Sequence, residues 1–328
     1  MPELRKDPVV GRWVIIATER ARRPGNIVER VEHTENHQKD CKFCLPQEEP
    51  ILNGAVQVIS FKTSFLSKNQ DYYHQGHGLY DVVNAFGAHE LVIESKEHVG
   101  NMADLPHEQI TAVIRAYASR MGDLSKNRYF QYVVTYKNYG SSAGSRDIHH
   151  ARSHIMAIPV QPLRVKEKLT GAKNYFTEHG RCVFCDMIKQ EVEEKARVII
   201  NSEHYLAIIP FAACFLFEVL ILPKRHHCDF PIGVQGTEEG LARVLKEVLL
   251  RFKMGLDDPA YNYAIHTAPL RRASGRRLSW KTLDEDYHWH LELVPRLTKV
   301  AGFEKGTYFY INAISPELTA EYLREVEL

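Results

Sequence analysis

The sequence predicts an α+β protein in which one structural unit occurs twice. Two Cys-x-x-Cys pairs, Cys41–Cys44 and Cys182–Cys185, divide the 328 residues. The same series follows each pair: a strand-like run with a histidine beyond it, a helical stretch, a second strand, and a third strand with spaced polar residues. We interpret this repetition as an internal duplication and divide the chain into residues 1–165 and 166–328.

In the first unit, the strand-like run spans residues 90–94, and His98 stands beyond it. A helical stretch follows over 106–124 and a strand over 129–136. The third strand lies in the histidine-rich segment 149–159.

In the second unit, the strand over 218–222 precedes His226. A helix is predicted over 237–254, because apolar residues recur there at helical spacing. A strand over 261–267 and the segment 288–295 complete the series. The polar stretch 160–180 lacks strong periodicity, so we expect a linker there.

Composition restricts the class of protein. Hydrophobic residues make up 44% and charged residues 25%, as in globular proteins that bury a core of normal size. With 42 Lys+Arg against 41 Asp+Glu, no overall charge attracts nucleic acid or a membrane surface. No apolar stretch has the length of a membrane span, and the N-terminus lacks the apolar core of a signal peptide. We therefore expect a cytoplasmic protein, in which cysteines are thiols or metal ligands.

The paired cysteines predict two structural metal sites, because thiolate and imidazole are the ligands that tetrahedral zinc prefers. The first set is Cys41, Cys44, His98 and His150, and the second is Cys182, Cys185, His226 and His288. The identity of one ligand in each set is ambiguous, because other candidate ligands are adjacent in the sequence. His149 adjoins His150, and His227 and Cys228 adjoin His226.

A strand with chemistry-bearing residues follows a Gly/Ser-rich loop in the first unit. His150, Arg152 and His154 share one strand face, because alternate residues of a strand point the same way. The loop, 137–145, lets backbone N–H groups approach phosphate oxygens closely. The loop and the strand together suggest a phosphate-handling site. The alternative interpretation of the loop is a plain turn.

The motifs resemble those of the galactose-1-phosphate uridylyltransferase family of the histidine-triad superfamily, which includes ADP-glucose phosphorylase-like members. The resemblance runs nearly end to end and rests on these segments: Arg5-Lys-Asp-Pro-Val-Val-Gly-Arg-Trp13, Cys41-Lys-Phe-Cys44, Phe217-Glu218-Val-Leu-Ile-Leu-Pro-Lys-Arg-His226 and His288-Trp-His290-Leu-Glu-Leu-Val-Pro.

The resemblance implies a duplicated histidine-triad-like fold, with two mixed or antiparallel sheets and packed helices, and a homodimer. It implies zinc at the first site, and zinc or iron at the second. It also implies a ping-pong reaction, in which a strand histidine attacks the α-phosphate of a nucleotide sugar and a sugar phosphate or phosphate then accepts the nucleotide. By the same resemblance, Arg20, Arg23, Asn138 and Ser142 contact nucleotide and phosphate.

This sequence departs from the family at the nucleophile. When the family's His-Pro-His-x-Gln pattern is aligned backward from 155–159, Arg152 replaces the nucleophile and His154 replaces the glutamine. When it is aligned forward from Gly140, Ala151 falls there instead; we prefer the first register because it preserves the apolar alternation of the strand. Guanidinium has no lone pair for attack, but it binds phosphate bidentately.

Arg152 is therefore expected to anchor an anion, and His154 to act as a substitute base or nucleophile or simply to position its neighbours. His290 and Glu292 form a similar spaced pair in the second unit. We predict a nucleotidyltransferase that moves a nucleoside monophosphate between a nucleotide sugar and a sugar phosphate or phosphate. The alternatives are a nucleotide-binding protein without turnover and a divergent reaction at the same phosphate site.

Overall fold

The computed structural model describes residues 1–19, 41–44, 51–52, 55–61, 64–145, 150–271 and 280–328. The strands are β1 Glu3–Lys6, β2 Trp13–Ile16, β3 Ile51–Leu52, β4 Val56–Ser60, β5 His74–His77, β6 Tyr80–Val83, β7 Ala88–Ile93, β8 Tyr132–Tyr139, β9 Arg152–Ile158, β10 Val198–Asn201, β11 Tyr205–Ile208, β12 Val219–Pro223, β13 Tyr261–His266, β14 His290–Pro295 and β15 Tyr310–Asn312. The helices are α1 His107–Leu124, α2 Leu163–His179, α3 Val183–Glu194, α4 Phe230–Gly233, α5 Glu238–Gly255, α6 Leu283–Asp286, α7 Gly302–Thr307 and α8 Pro316–Glu325.

A ten-stranded sheet forms the centre of the fold, in the order β10-β11-β12-β14-β13-β8-β9-β7-β4-β3. Neighbouring strands in this sheet run antiparallel. When the order is read outward from the central β8–β13 pair, β9, β7 and β4 on one side match β14, β12 and β11 on the other. The α+β class and the duplication are thus confirmed, and the two predicted sheets prove to be joined edge to edge.

Helices α1 and α5 occupy equivalent positions after β7 and β12 and share one hydrophobic core with the sheet. Both lie within one residue of their predicted bounds. Their apolar stripes face the sheet, because residues three and four apart lie on one helix face. The buried residues of the α5 stripe include Leu241, Val244, Leu245, Val248 and Leu249.

The expected linker at 160–180 was wrong, because helix α2 covers most of this segment. Only Val165, Leu169 and Ala172 form its buried apolar stripe, so the periodicity is weak beside the many polar residues. This stripe packs with α3 and the second half of the sheet into a separate core on the opposite sheet face. Helix α2 therefore covers the site-bearing face of the second unit.

The start of the chain also packs against the second unit. Strand β2 pairs in parallel with β15 near the C-terminus, and Arg5 on β1 donates to Glu317 on α8 at 2.7 Å. The division at residue 165 therefore remains a prediction, since the first strands lie against elements of the other unit. In the described part of the chain, no helix is both long and apolar enough to cross a membrane.

A buried ion pair lies between α1 and the sheet. Lys137 Nζ on β8 donates to Glu94 at 2.6 Å, and both side chains are almost completely buried. The same ammonium donates to the carbonyl oxygen of Arg152 at 3.0 Å. Tyr117 extends the network, because its hydroxyl contacts Ser153 at 2.6 Å and Tyr263 at 2.7 Å. The network therefore ties β9 to its neighbouring strands directly at Arg152.

Removing one partner of this pair should destabilise the protein strongly, because a lone buried charge costs more than the intact pair. We expect Lys137→Met to lower the free energy of unfolding by about 3–5 kcal/mol, measured by urea denaturation.

Combining Lys137→Met with Glu94→Gln should recover part of that loss, since no uncompensated charge then remains. The control is Lys126→Met, which breaks an exposed pair with Asp123 and should cost less than about 1 kcal/mol. Equal effects of the two lysine substitutions would contradict a special role for the buried pair.

Candidate functional site

The four predicted ligands of the first metal site converge. Cys44 Sγ lies 3.2 Å from His98 Nδ1 and 3.5 Å from His150 Nδ1, and Cys41 Sγ lies 3.5 Å from His150 Nδ1. His150 Nε2 donates to the carbonyl oxygen of Ser95 at 2.9 Å. That bond leaves the Nδ1 lone pair directed at the sulfur atoms, as metal binding requires.

The second predicted set converges in the same way. Cys185 Sγ lies 3.3 Å from His226 Nδ1 and 3.7 Å from His288 Nδ1, and Cys182 completes the cluster. His226 Nε2 donates to the carbonyl oxygen of Asp284, and His288 Nε2 donates to that of Pro223, both at 2.8 Å. The neighbouring His227 is engaged elsewhere, because its Nδ1 accepts from the backbone N–H of Asp229.

Both clusters suit a tetrahedral metal ion. All four ligand atoms of each set lie within 4.8 Å of one another. An ion bonded to sulfur at about 2.3 Å and to nitrogen at about 2.0 Å separates these two atoms by about 3.6 Å, and the observed sulfur–nitrogen distances bracket that value. The hydrogen bond from Cys182 lowers the pKa of Cys185, with His226 and His288 contributing, so a thiolate is favoured in the second cluster. Either cluster can therefore hold a metal ion.

Strand pairing fixes where Arg152 and His154 lie on β9, whereas the alignment of this strand with the family's His-Pro-His-x-Gln pattern stays a prediction. Arg152 pairs with Ile93 of β7, and His154 pairs with Leu91 of β7 and Tyr136 of β8. Arg152 thus stands two residues beyond His150 of the first Cys/His cluster. His149 lies outside the described residues, as do Arg20 and Arg23.

The Arg152 guanidinium is held beside the Gly/Ser-rich loop. Its Nη2 donates to Ser145 Oγ at 3.0 Å and its Nη1 to the carbonyl oxygen of His150 at 3.2 Å. The group also lies 5.6 Å from the ring centroid of Phe43, inside the first Cys-x-x-Cys turn. The first Cys/His cluster, the Gly/Ser-rich loop and the Arg152 guanidinium therefore lie next to one another in the first unit.

Asn138 and Ser142 lie on the loop side of this point. Gly140 and Gly144 both adopt positive φ, 82° and 86°, which non-glycine residues rarely do. Between them, Ser142 occupies a short 3-10 turn. The Asn138 side-chain oxygen accepts from Asn262 of the second unit at 2.7 Å, so the opposite half of the sheet helps to position it.

His154 packs in an aromatic environment. Its ring stacks on Tyr136 with 5.0 Å between centroids, and its Nδ1 lies 3.0 Å from His89 Nε2. Burial lowers the pKa of His154 to about 3, with positive neighbours adding to the effect. A neutral imidazole with so low a pKa is a weak base, so the geometry favours the positioning role over the catalytic one.

The equivalent strand of the second unit carries a different cluster. His290 Nδ1 donates to the carbonyl oxygen of His288 at 2.9 Å, and its Nε2 accepts from Lys168 of α2 at 2.7 Å. Lys168 also donates to Glu292, which contacts His266 at 3.0 Å. Sequence reasoning missed Lys168, because it lay in the expected linker. It also missed His266, which lies near the end of a predicted strand, because nothing in the sequence indicated which side chain it contacts.

The sequence and the fold were compared with known proteins. The family "Galactose-1-phosphate uridyl transferase, N-terminal domain" matches residues 1–188, and its C-terminal domain matches residues 168–309. An ADP-glucose phosphorylase of Arabidopsis thaliana is 36% identical, covering 100% of this chain and 93% of that protein. A galactose-1-phosphate uridylyltransferase of Thermotoga maritima is 26% identical, covering 100% and 99%.

Solved structures agree with these matches. The crystal structure of an Arabidopsis thaliana ADP-glucose phosphorylase with bound ADP-glucose superposes with a TM-score of 0.82, 34% identity and full coverage of both chains. A uridylyltransferase structure gives a TM-score of 0.77 at 26% identity, with 99% of this chain and 98% of that chain covered. The protein is a nucleotidyltransferase-type enzyme with a duplicated fold. The chain belongs to the galactose-1-phosphate uridyl transferase family.

Substitution of one cysteine in each cluster should remove one metal ion. We expect Cys44→Ser and Cys185→Ser each to lower the metal content from about two ions per chain to about one, because a tetrahedral site loses most of its affinity with a thiolate. Mass-spectrometric metal analysis of the purified variants measures this.

The control is Cys214→Ser, at a buried thiol that belongs to neither cluster, which should leave the metal content unchanged. Unaltered metal content in both cluster variants would show that these cysteines bind no metal.

Because of His154, the free energy of unfolding should decrease at acidic pH. Its pKa is lowered to about 3 in the folded protein, whereas an unfolded histidine titrates near 6.5. Between these values the unfolded state binds more protons, so stability decreases as the pH falls from about 6.5 towards 3. When the pH is lowered from 7 to 5, the free energy of unfolding should decrease in both proteins. We expect the decrease to be about 1–2 kcal/mol smaller in His154→Gln than in the wild type.

Urea denaturation at both pH values measures the difference, and His204→Gln, at an exposed histidine on the second unit, provides the control. If both variants showed the same pH dependence as the wild type, His154 would not be the buried neutral imidazole described above.

Proposed function

We propose that the protein transfers a nucleoside monophosphate from a nucleotide sugar to a phosphate acceptor, at the site around Arg152. The observation that carries the proposal is the position of the Arg152 guanidinium, which lies between the Gly140–Gly144 loop and the first Cys/His cluster. ADP-glucose is the first substrate to test and inorganic phosphate the first acceptor, because the 36%-identical relative is an ADP-glucose phosphorylase.

Arg152 acts in this proposal as an anchor for the α-phosphate. Guanidinium keeps its proton in proteins and binds phosphate oxygens bidentately. Asn138 and Ser142 contribute polar groups from the loop side, and Arg20 and Arg23 are proposed phosphate contacts by resemblance. His154 orients this arrangement through its contacts with His89 and Tyr136.

Without an imidazole at position 152, the simplest reaction is direct transfer. An oxygen of the acceptor phosphate attacks the α-phosphorus in line, and a new phosphorus–oxygen bond forms. The bond from the α-phosphorus to the bridging oxygen breaks, and the sugar phosphate leaves with the electron pair. Positioning and electrostatic stabilisation supply most of the rate in such transfers.

We propose zinc as the metal of both clusters, because two thiolates and two imidazoles form a donor set that zinc prefers. A bound ion of this kind supplies structural stability, since four protein ligands complete its coordination. In the first unit it orders Phe43 and His150, both of which contact Arg152. Iron at the second cluster remains the alternative implied by the resemblance.

Two further properties belong to the proposal. A homodimer is implied by the resemblance to the family. A cytoplasmic location is inferred from cysteines arranged as paired metal ligands rather than disulfides.

A binding protein without turnover is the second candidate function. Two observations favour it: Arg152 has no lone pair for attack, and His154 bonds to His89 rather than standing free. Such a protein would retain affinity for the nucleotide sugar and yield no product.

Turnover with ADP-glucose and inorganic phosphate, followed as release of glucose 1-phosphate, tests the proposal. We expect product formation by the wild type and a loss of roughly 10- to 100-fold in kcat/KM for Arg152→Ala, because a charge-assisted hydrogen bond to phosphate is removed. Direct transfer also predicts inversion of configuration at the α-phosphorus.

Arg152→His is the matched gain-of-function variant. It should form a covalent nucleotidyl-protein that mass spectrometry detects, since an imidazole then stands where the family's nucleophile is expected. Binding of ADP-glucose and UDP-glucose without product from either would favour the second candidate. Absence of binding to both would refute the proposed site.

A further inference from the structure

The second unit repeats the surroundings of Arg152 around His290. Arg152 and His290 each donate to the carbonyl oxygen of the metal-binding histidine two residues earlier. Phe43 of the first Cys-x-x-Cys turn lies beside Arg152, and Phe184 of the second turn stacks on His290 with 5.0 Å between centroids. The duplication thus places His290 at the position equivalent to the proposed phosphate anchor.

A cavity of about 400 Å³ lies above this second position, between helices α2 and α3 and the first strands of the chain. Ligand sites for small molecules start at about this size. Its walls are mostly apolar, and they include Val10, Val183, Met187 and Leu220. His290 and Glu292 form its floor, on the same sheet face as His154 and Arg152.

Five Lys or Arg side chains and five carboxylates line this cavity, and three of the carboxylates form ion pairs among the described residues. Glu292 forms ion pairs with both Arg164, at 3.2 Å, and Lys168. Glu218 accepts two backbone N–H bonds and forms no ion pair among the described residues, and burial raises its pKa to about 7 against the opposing effect of the Arg164 charge. Asp7 likewise accepts two backbone N–H bonds.

The guanidinium of Arg12 has N–H donors that no carboxylate of the described residues engages. The group lies over the Tyr310 ring and donates to Cys214 Sγ at 3.6 Å. The remaining acids of the wall, Asp186 and Glu191, have arginine partners of their own. Arg12 and Arg164 therefore present guanidinium donors to an anion at this side of the cavity.

We propose that the cavity is a second ligand site, which binds a phosphate monoester of the size of a nucleotide. The phosphate lies against Arg12 and Arg164, and the apolar part of the ligand packs against Val183 and Met187. This site is separate from the transfer site, because the strands β8 and β13 lie between β9 and β14. The proposal does not depend on turnover in the first unit.

Photo-crosslinking and calorimetry with nucleoside monophosphates test this site on the full chain with its metals. We expect 8-azido-AMP to label peptides from the segment 163–194, and the label to persist in Arg152→Ala. Arg12→Gln should weaken AMP binding at this site by roughly 10- to 100-fold, because a charge-assisted hydrogen bond is lost. Arg12→Lys should retain most of the affinity.

Arg181→Gln is the control, because Arg181 stands just before α3 and pairs with Asp186 without lining the cavity. Met187→Trp, which narrows the cavity without removing a charge, should also abolish the label on 163–194. Labelling confined to first-unit peptides, or equal AMP affinities of the Arg12→Gln and Arg181→Gln variants, would overturn the proposal. Both readouts remain decisive if the first unit turns over no nucleotide sugar.

Discussion

The pairing of β8 with β13 is the interaction on which the architecture depends. It joins the two units into one sheet and places their site residues on a common face. His154, Tyr136, Ala264 and Glu292 form one row across four strands. Paired residues of neighbouring strands point to the same side, so this row passes from the first site to the second. With about 4.8 Å between strands, the two sites lie roughly 14 Å apart.

Polar contacts strengthen this junction on both faces of the sheet. On the site face, Asn138 bonds to Asn262 across the boundary between the units. On the core face, Tyr117 bonds to Tyr263, close to the buried Glu94–Lys137 pair. A buried polar network specifies a unique arrangement only when its members are satisfied. The junction therefore positions Asn138, near the end of β8, and the backbone at Arg152 together.

Arg152 and His290 stand at equivalent positions of the two units but differ in the chemistry that they can perform. Arg152 retains the hydrogen bond to the preceding metal ligand that His290 makes in the second unit, so the local geometry tolerates both groups. What differs is the lone pair, which guanidinium lacks. The second unit keeps an imidazole, but Lys168 donates to it, so its lone pair is already engaged. Neither unit presents a free imidazole at this position in the described structure, and the direct transfer proposed above requires none.

The sequence alone determined the features that depend on local spacing and residue type. The Cys-x-x-Cys pairs and their histidines predicted both clusters, and the repeated series predicted the duplication. Apolar periodicity placed α1 and α5 within one residue, because a broad buried stripe dominates each helix. Helix α2 was missed, since its stripe has only three apolar positions and its polar residues face a cavity.

Only the tertiary structure decided which distant groups meet. It brought His226 rather than His227 to the second cluster and paired Arg152 with Ile93, because these contacts depend on chain segments that are far apart in the sequence. It lowered the pKa of His154 through burial, which sequence spacing does not reveal. It also brought Arg12, from the start of the chain, to the second unit's cavity, since pairing between distant strands leaves no local sequence signal.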